Sequence, residues 1–253
     1  MSRKFQFGGR IAGASMALVL LGGVANAVAA PITFFGEDPT TTGILGPNST
    51  QARNDFLSNL SGVGNENFES FSSGDSSPLA LSFPGTGGAL AATITGTGTI
   101  GTSGPGRFPT SGTNFWEVST GAFAIDFTDP VSAFGFNGID IGDFVTDQMI
   151  LNLTNSAGET SELTVPHSLG IGNNDNATLF FGFYDLEETY TSISFTNAGG
   201  GDFFAFDDMV IGDLGQITPD PDPQPVPEPS TLALLAMGLI GFGARRRFLA
   251  RRS

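Results

Sequence analysis

Residues 123–141 read FAIDFTDPVSAFGFNGIDI. Phe123, Ile125 and Phe127 alternate with Ala124 and Asp126, and a period of two puts the apolar residues on one face of an extended strand. Asp129-Pro130 is a turn, after which Phe134 and Phe136 again face one way. Ile139 and Ile141 have switched parity, which marks Gly138 between them as a candidate bulge. The stretch is therefore two successive strands of a sheet with one apolar face.

The same pattern continues on both sides. Downstream, Met149, Leu151 and Leu153 alternate, and Asn155 to Gly158 (NSAG) turns the chain into Glu159–Pro166. Leu179, Phe181 and Phe183 form another strand, followed by Tyr190 to Asn197 and, past Gly199-Gly200-Gly201, Phe203 to Asp213. Upstream lie PITFFG (Pro31 to Gly36), Leu79 to Phe83, Ala89 to Ile100 and Asn114 to Ser119. Roughly ten strands at short spacing with no helices between them predict an antiparallel β-sandwich of jelly-roll type. One short helix is expected at residues 51–60, where Ala52, Phe56, Leu57 and Leu60 share a face and Gly62 supplies a stop.

Charge narrows the function classes. Of 25 acidic residues, 24 lie from Glu37 to Asp222, where Arg53 and Arg107 are the only basic residues. No basic surface can form there to neutralise phosphates, which excludes nucleic-acid binding. The chain has no cysteine, so disulfides, thiolate nucleophiles and Cys-based metal sites are excluded.

Both ends read as targeting segments. Arg3, Lys4 and Arg10, the apolar run Ile11 to Val24 and Ala25-Asn26-Ala27 are the three parts of a secretory signal, with Ala27-Val28-Ala29 as a second cleavage site. This divides the chain into a signal peptide (1–30) containing a signal helix, a β-sandwich ectodomain (31–215), a proline-rich linker (216–225) and a tail (226–253). Alternating prolines cannot sit inside a sheet and favour an extended spacer. The tail reads VPEPSTLALLAMGLIGFGARRRFLARRS. Ser230 to Ala244 carries no charge and spans about 22 Å as a transmembrane helix, short of the roughly 30 Å hydrocarbon core. The arginines that follow stay cytoplasmic under the positive-inside rule.

Val226, Pro227, Glu228 and Pro229, the apolar run and the cluster Arg245, Arg246 and Arg247 resemble the PEP-CTERM sorting signal of exopolysaccharide-producing Gram-negative bacteria. The resemblance implies recognition by an exosortase, a membrane transpeptidase that cleaves near the Pro-Glu-Pro motif. It also implies transient anchoring in the inner membrane and delivery to the cell surface or extracellular matrix. The expected role is structural or adhesive within an exopolysaccharide or biofilm matrix.

The ectodomain is similar to lectin-like and carbohydrate-binding-module jelly rolls in NFESF (Asn67 to Phe71) and FFAFDDMVIGDL (Phe203 to Leu214). That resemblance implies a structural calcium, with Glu69, Asp207 and Asp208 as candidate ligands; hydrogen bonding at a sheet edge is the plainer role for the aspartates. Asp140, Asp143 and Asp147 lack the spacing of an EF-hand and read as a solvated loop. A sugar-binding module, with extracellular polysaccharide as partner and Trp116 as the stacking residue, is the alternative function; Trp116 in the core is the competing placement. A secreted hydrolase ranks third, because His167 is the only histidine and lies in no recognised motif. The expectation is a protein that is not an enzyme.

Overall fold

The computed structural model describes residues 30–39, 41, 43–119, 123–142, 147–169, 176–196 and 203–219. The expected signal helix, residues 220–225 of the expected linker and the sorting tail with its expected transmembrane helix, including Val226 to Pro229 and Arg245 to Arg247, lie outside these residues. The expected start of the linker at 216 is corrected: Gln216 closes a short 3-10 turn, and Ile217 is buried and bridges to Leu60, so the folded body runs past it. Among the described residues no helix is long and apolar enough to cross a membrane.

Among the described residues thirteen strands follow in chain order: β1 (Ile32–Asp38), β2 (Gly64–Glu66), β3 (Leu79–Gly85), β4 (Gly88–Gly96), β5 (Thr99–Gly101), β6 (Phe115–Val118), β7 (Phe123–Val131), β8 (Ala133–Ile139), β9 (Ile150–Asn155), β10 (Thr160–Thr164), β11 (Thr178–Tyr184), β12 (Tyr190–Thr196) and β13 (Phe204–Gly212). They form two antiparallel sheets. One runs β1-β11-β8-β13-β6-β5, with β2 also on β13; the other runs β10-β9-β12-β7-β4-β3. The expected all-β sandwich is the observed fold.

The alternating residues of both sheets meet in the main core, where Phe123, Phe134, Phe136, Phe181, Phe183, Phe195 and Phe206 are almost wholly buried. Phe123 stacks on Phe195 at 4.2 Å, and Phe206 meets Phe123 edge-on at 4.9 Å. The offset and edge-on geometries suit the aromatic quadrupole.

The single α-helix among the described residues, α1 (Pro47–Leu57), begins and ends earlier than its apolar pattern suggests. Pro47 fits the first turn, where its missing N–H costs nothing. The end of β1 supplies the cap: Asp38 accepts from the Asn48 and Ser49 N–H groups at 3.1 and 2.8 Å. Such a cap across ten residues of chain is invisible to a local reading. The helix lays Ala52 and Phe56 on the outer face of the seven-stranded sheet, making a second core with Phe180, Tyr184 and Val210. Phe56 approaches so closely that a Cβ on Gly135 would lie 2.9 Å from its ring.

The expected bulge is displaced. β8 pairs continuously through Gly138 with β11, and Ile139 differs from Phe136 in facing because it lies on the sheet's other side, beside Phe115 and Ala205. The parity change to Ile141 comes at Asp140, whose φ is +63°. The register shift lies instead in β13, between Asp207 and Val210, where Asp208 has a φ of +50°.

Candidate functional site

At that bulge β13 changes partner, pairing with β6 through Phe204–Phe206 and with β2 through Met209–Ile211. The two aspartates turn outward beneath the loop that precedes β6. Asp207 accepts from the Thr110 N–H at 2.7 Å, the Thr110 hydroxyl at 2.9 Å and the Ser111 N–H at 3.1 Å. Asp208 accepts from the Ser111 hydroxyl at 2.8 Å, and its other oxygen lies 2.8 Å from the Thr110 hydroxyl, whose single proton it shares with Asp207. The side-chain amides of Asn65 and Asn137 donate to Asp208 at 2.7 and 3.3 Å. Burial, and then the adjacent Asp208 charge, push the Asp207 carboxyl up to about 7, against the pull of its hydrogen bonds.

Glu69 lies along the same loop but holds a different point of it, accepting from the Thr113 and Asn114 N–H groups, both at 2.7 Å. Slight burial acts to raise its pKa; these donors outweigh it, and the carboxyl falls below its ordinary value. Glu69, Asp207 and Asp208 therefore do not converge: among the described residues no three carboxylate or histidine side chains gather to hold a metal ion. This corrects the expected three-carboxylate ligand set. The donor set at Asp207 and Asp208 still suits a hard cation, because the Asn65 and Asn137 side-chain oxygens are buried without a hydrogen-bond partner.

Trp116 has 0 % exposure and packs edge-on against Phe123 at 6.4 Å. The expectation that it stacks on a sugar is overturned: β6 pairs on both sides, with β5 and β13, and turns this residue into the main core. Among the described residues Phe203 is the aromatic left substantially open, at 44 % exposure, with the Arg107 guanidinium 5.1 Å from its ring centre.

Asp140 is buried and pairs with Arg107 at 3.6 Å, while Asp147 is exposed and Asp143 lies outside the described residues. His167 is buried, its Nε2 accepting from the Met149 N–H at 2.9 Å and its Nδ1 facing the Ser168 carbonyl at 2.8 Å. That pair of contacts selects the neutral ring with the proton on Nδ1, and burial lowers its pKa despite Ser168 and Glu37. Both ring nitrogens are engaged with backbone.

Sequence reasoning missed Glu66, a buried carboxylate that accepts from the Phe68 and Ser82 N–H groups, each at 2.8 Å, and ties β2 to β3. It sits in the same NENFESF run as Glu69, and nothing in the spacing separates their roles.

The broadest feature is the outer face of the six-stranded sheet. Register places Thr160, Thr154, Ser192, Asp126, Thr93 and Ala80 in one row across all six strands. Glu162, Asn152, Ser194, Ala124 and Thr95 form the next row. All are exposed or half-buried, with short side chains apart from Glu162 and neither a cation nor an aromatic among them.

Residues 225–247 match the PEP-CTERM protein-sorting motif. The chain thus carries the sorting signal of an exported protein processed at the membrane by an exosortase. No curated protein matches it. Among solved structures it is similar to a mutant family 29 carbohydrate binding module, at 16% identity over 52% of this chain and 99% of that one, with a TM-score of 0.29. It is similar to the xylan-binding domain from CBM 22, at 12% identity over 62% of this chain and 97% of that one, with a TM-score of 0.33. The enzymatically active domain of tailspike protein 4 from bacteriophage CBA120 aligns at 15% identity, over 49% of this chain and 19% of that one, with a TM-score of 0.30. Scores of this size transfer neither ligand nor activity.

Proposed function

We propose that the sandwich is a non-catalytic structural or adhesive component of an exopolysaccharide or biofilm matrix, delivered to the cell surface by exosortase sorting. In this reading it contacts neutral polysaccharide through the outer face of the six-stranded sheet. The observation that carries it is the in-register field of Thr, Ser and Asn side chains, left uncovered and uncharged apart from Asp126 and Glu162. Strands about 4.8 Å apart present these donors and acceptors as a flat lattice, suited to many weak hydrogen bonds with an extended hydroxylated chain. The acidic ectodomain disfavours polyanionic polymers.

Affinity electrophoresis through gels containing the producing cell's polysaccharide tests this. Thr93→Arg combined with Ser194→Arg should abolish retardation, whereas Gln51→Arg on exposed α1 should leave it intact. Equal retardation of all three proteins sinks the assignment of the face. Delivery is tested separately: Glu228→Ala should leave full-length precursor in the membrane fraction, and normal release would refute exosortase sorting.

A structural calcium is the second reading, favoured by the two buried amide oxygens beside Asp207 and Asp208. Asp207, Asp208, Asn65 and Asn137 would hold it, with Glu69 outside the set, and its role would be to fix the loop at Thr110 and Ser111. Chelator should then lower the melting temperature by several degrees, and an unchanged value excludes the ion.

A further inference from the structure

A second polar site lies where β1 begins. Ala30 and Pro31 line a cleft of about 360 Å³ together with Glu159, Glu162, Asp185 and Glu188. Its four carboxylates come from the β9–β10 turn, from β10 and from the connection between β11 and β12. Among the described residues no lysine or arginine lines it, and the described basic side chains lie elsewhere: Arg53 in α1, and Arg107 paired with Glu117 and Asp140. Asp185 is buried and accepts from the Tyr190 hydroxyl at 2.7 Å. Glu159 and Glu188 both accept from the Asn155 amide, at 3.4 and 3.0 Å, which draws two negative charges to one point. The field is felt by the remaining titratable group: burial, then the Asp185 hydrogen bond and the Asp185 and Glu188 charges, raise the Tyr190 pKa.

We propose that this cleft seats the α-ammonium of the processed chain. The export signal ends beside it. Cleavage behind Ala29 puts the new cation on Ala30, which itself forms part of the wall; cleavage behind Ala27 puts it on Val28, at most about 7 Å of extended chain further out. In the precursor the same nitrogen is a neutral amide, so the acidic wall gains its counter-charge only when the signal is removed. The occupant is therefore the chain's own segment Val28–Ala30, and its ammonium neutralises carboxylates that no described side chain neutralises. The proposal rests on signal cleavage and not on polymer binding, so the sheet-face variants do not bear on it.

The experiment uses protein recovered from the exported fraction without an N-terminal tag, its first residue identified by mass spectrometry. The α-amino pKa is then read from the pH dependence of N-terminal acylation. An unperturbed α-amino group titrates at about 7.7–8.0. A seated ammonium should titrate at least one unit higher, which makes acylation at pH 7 about tenfold slower. Glu159→Gln combined with Glu188→Gln, both lying outside the cores, should restore the ordinary value and rate while circular dichroism stays unchanged. An ordinary pKa in the processed wild-type protein overturns the proposal. So does an exported chain that still begins at Met1 or Ser2, or a raised pKa that survives the double substitution.

Discussion

The two sheets bury their inner faces alike and treat their outer faces in opposite ways. The seven-stranded sheet is covered: α1 packs Phe56 over Gly135 and Gly182, and the Thr110–Ser111 loop closes over Asp207, Asp208 and Asn137. Consequently every residue of β8, β11 and β13 is buried. Among the described residues nothing covers the six-stranded sheet, and β4 and β9 alternate buried with exposed or half-buried residues. A covered face adds stability, and a bare face built from short hydroxyls is available to a partner. In the proposed reading, stability and contact with the surroundings are thus assigned to different sheets.

Substitution can break that division. Phe56→Ala on the covered side should cost about 3–5 kcal/mol, read from urea unfolding, because it empties a pocket whose backbone cannot collapse. A loss below about 1 kcal/mol would mean that α1 is not a second core. The carboxylates under the loop give a smaller, pH-dependent effect. Asp207 is raised to about 7 in the folded chain, above its unfolded value of about 3.9. The folded state therefore binds more protons between these values, and its stability should fall as pH rises from about 4 to about 7, then level off. Unfolding midpoints across that range in metal-free buffer should show the slope, and Asp207→Asn should flatten it. The smallest effect belongs to the bare face. Ser194→Ala should change stability by less than about 0.5 kcal/mol, since it removes a half-buried hydroxyl on the outer face of a strand whose core contacts are untouched.

Much of this was legible in the chain. The alternation of Phe123, Ile125 and Phe127, and of Leu179, Phe181 and Phe183, identified real strands because a half-buried strand must repeat every two residues. Ala52 and Phe56 likewise marked the inward side of α1. The candidate site was read less well. Asp207 and Asp208 do act at one loop, yet Glu69 holds a different point of it, and Trp116, singled out because aromatic residues stack on sugars, serves the core. A residue type specifies a chemistry without specifying the direction in which its side chain points.

The sequence by itself determined the class of fold, the sorting motif and the absence of basic residues other than Arg53 and Arg107 between Glu37 and Asp222. Strand periodicity, a sorting motif and the distribution of charge are local or compositional properties, readable without distant contacts. Only the tertiary structure decided which sheet face is covered, where β13 bulges and which carboxylates share a neighbourhood. Thr93 and Phe180 both sit in strands that look amphipathic or apolar on their own. Their fates differ because α1 lies over one sheet and not the other, an arrangement set by pairings between residues more than a hundred positions apart, such as Phe34 with Gly182. The acidic cleft is of the same kind, joining Pro31, Glu159 and Glu188 across that distance.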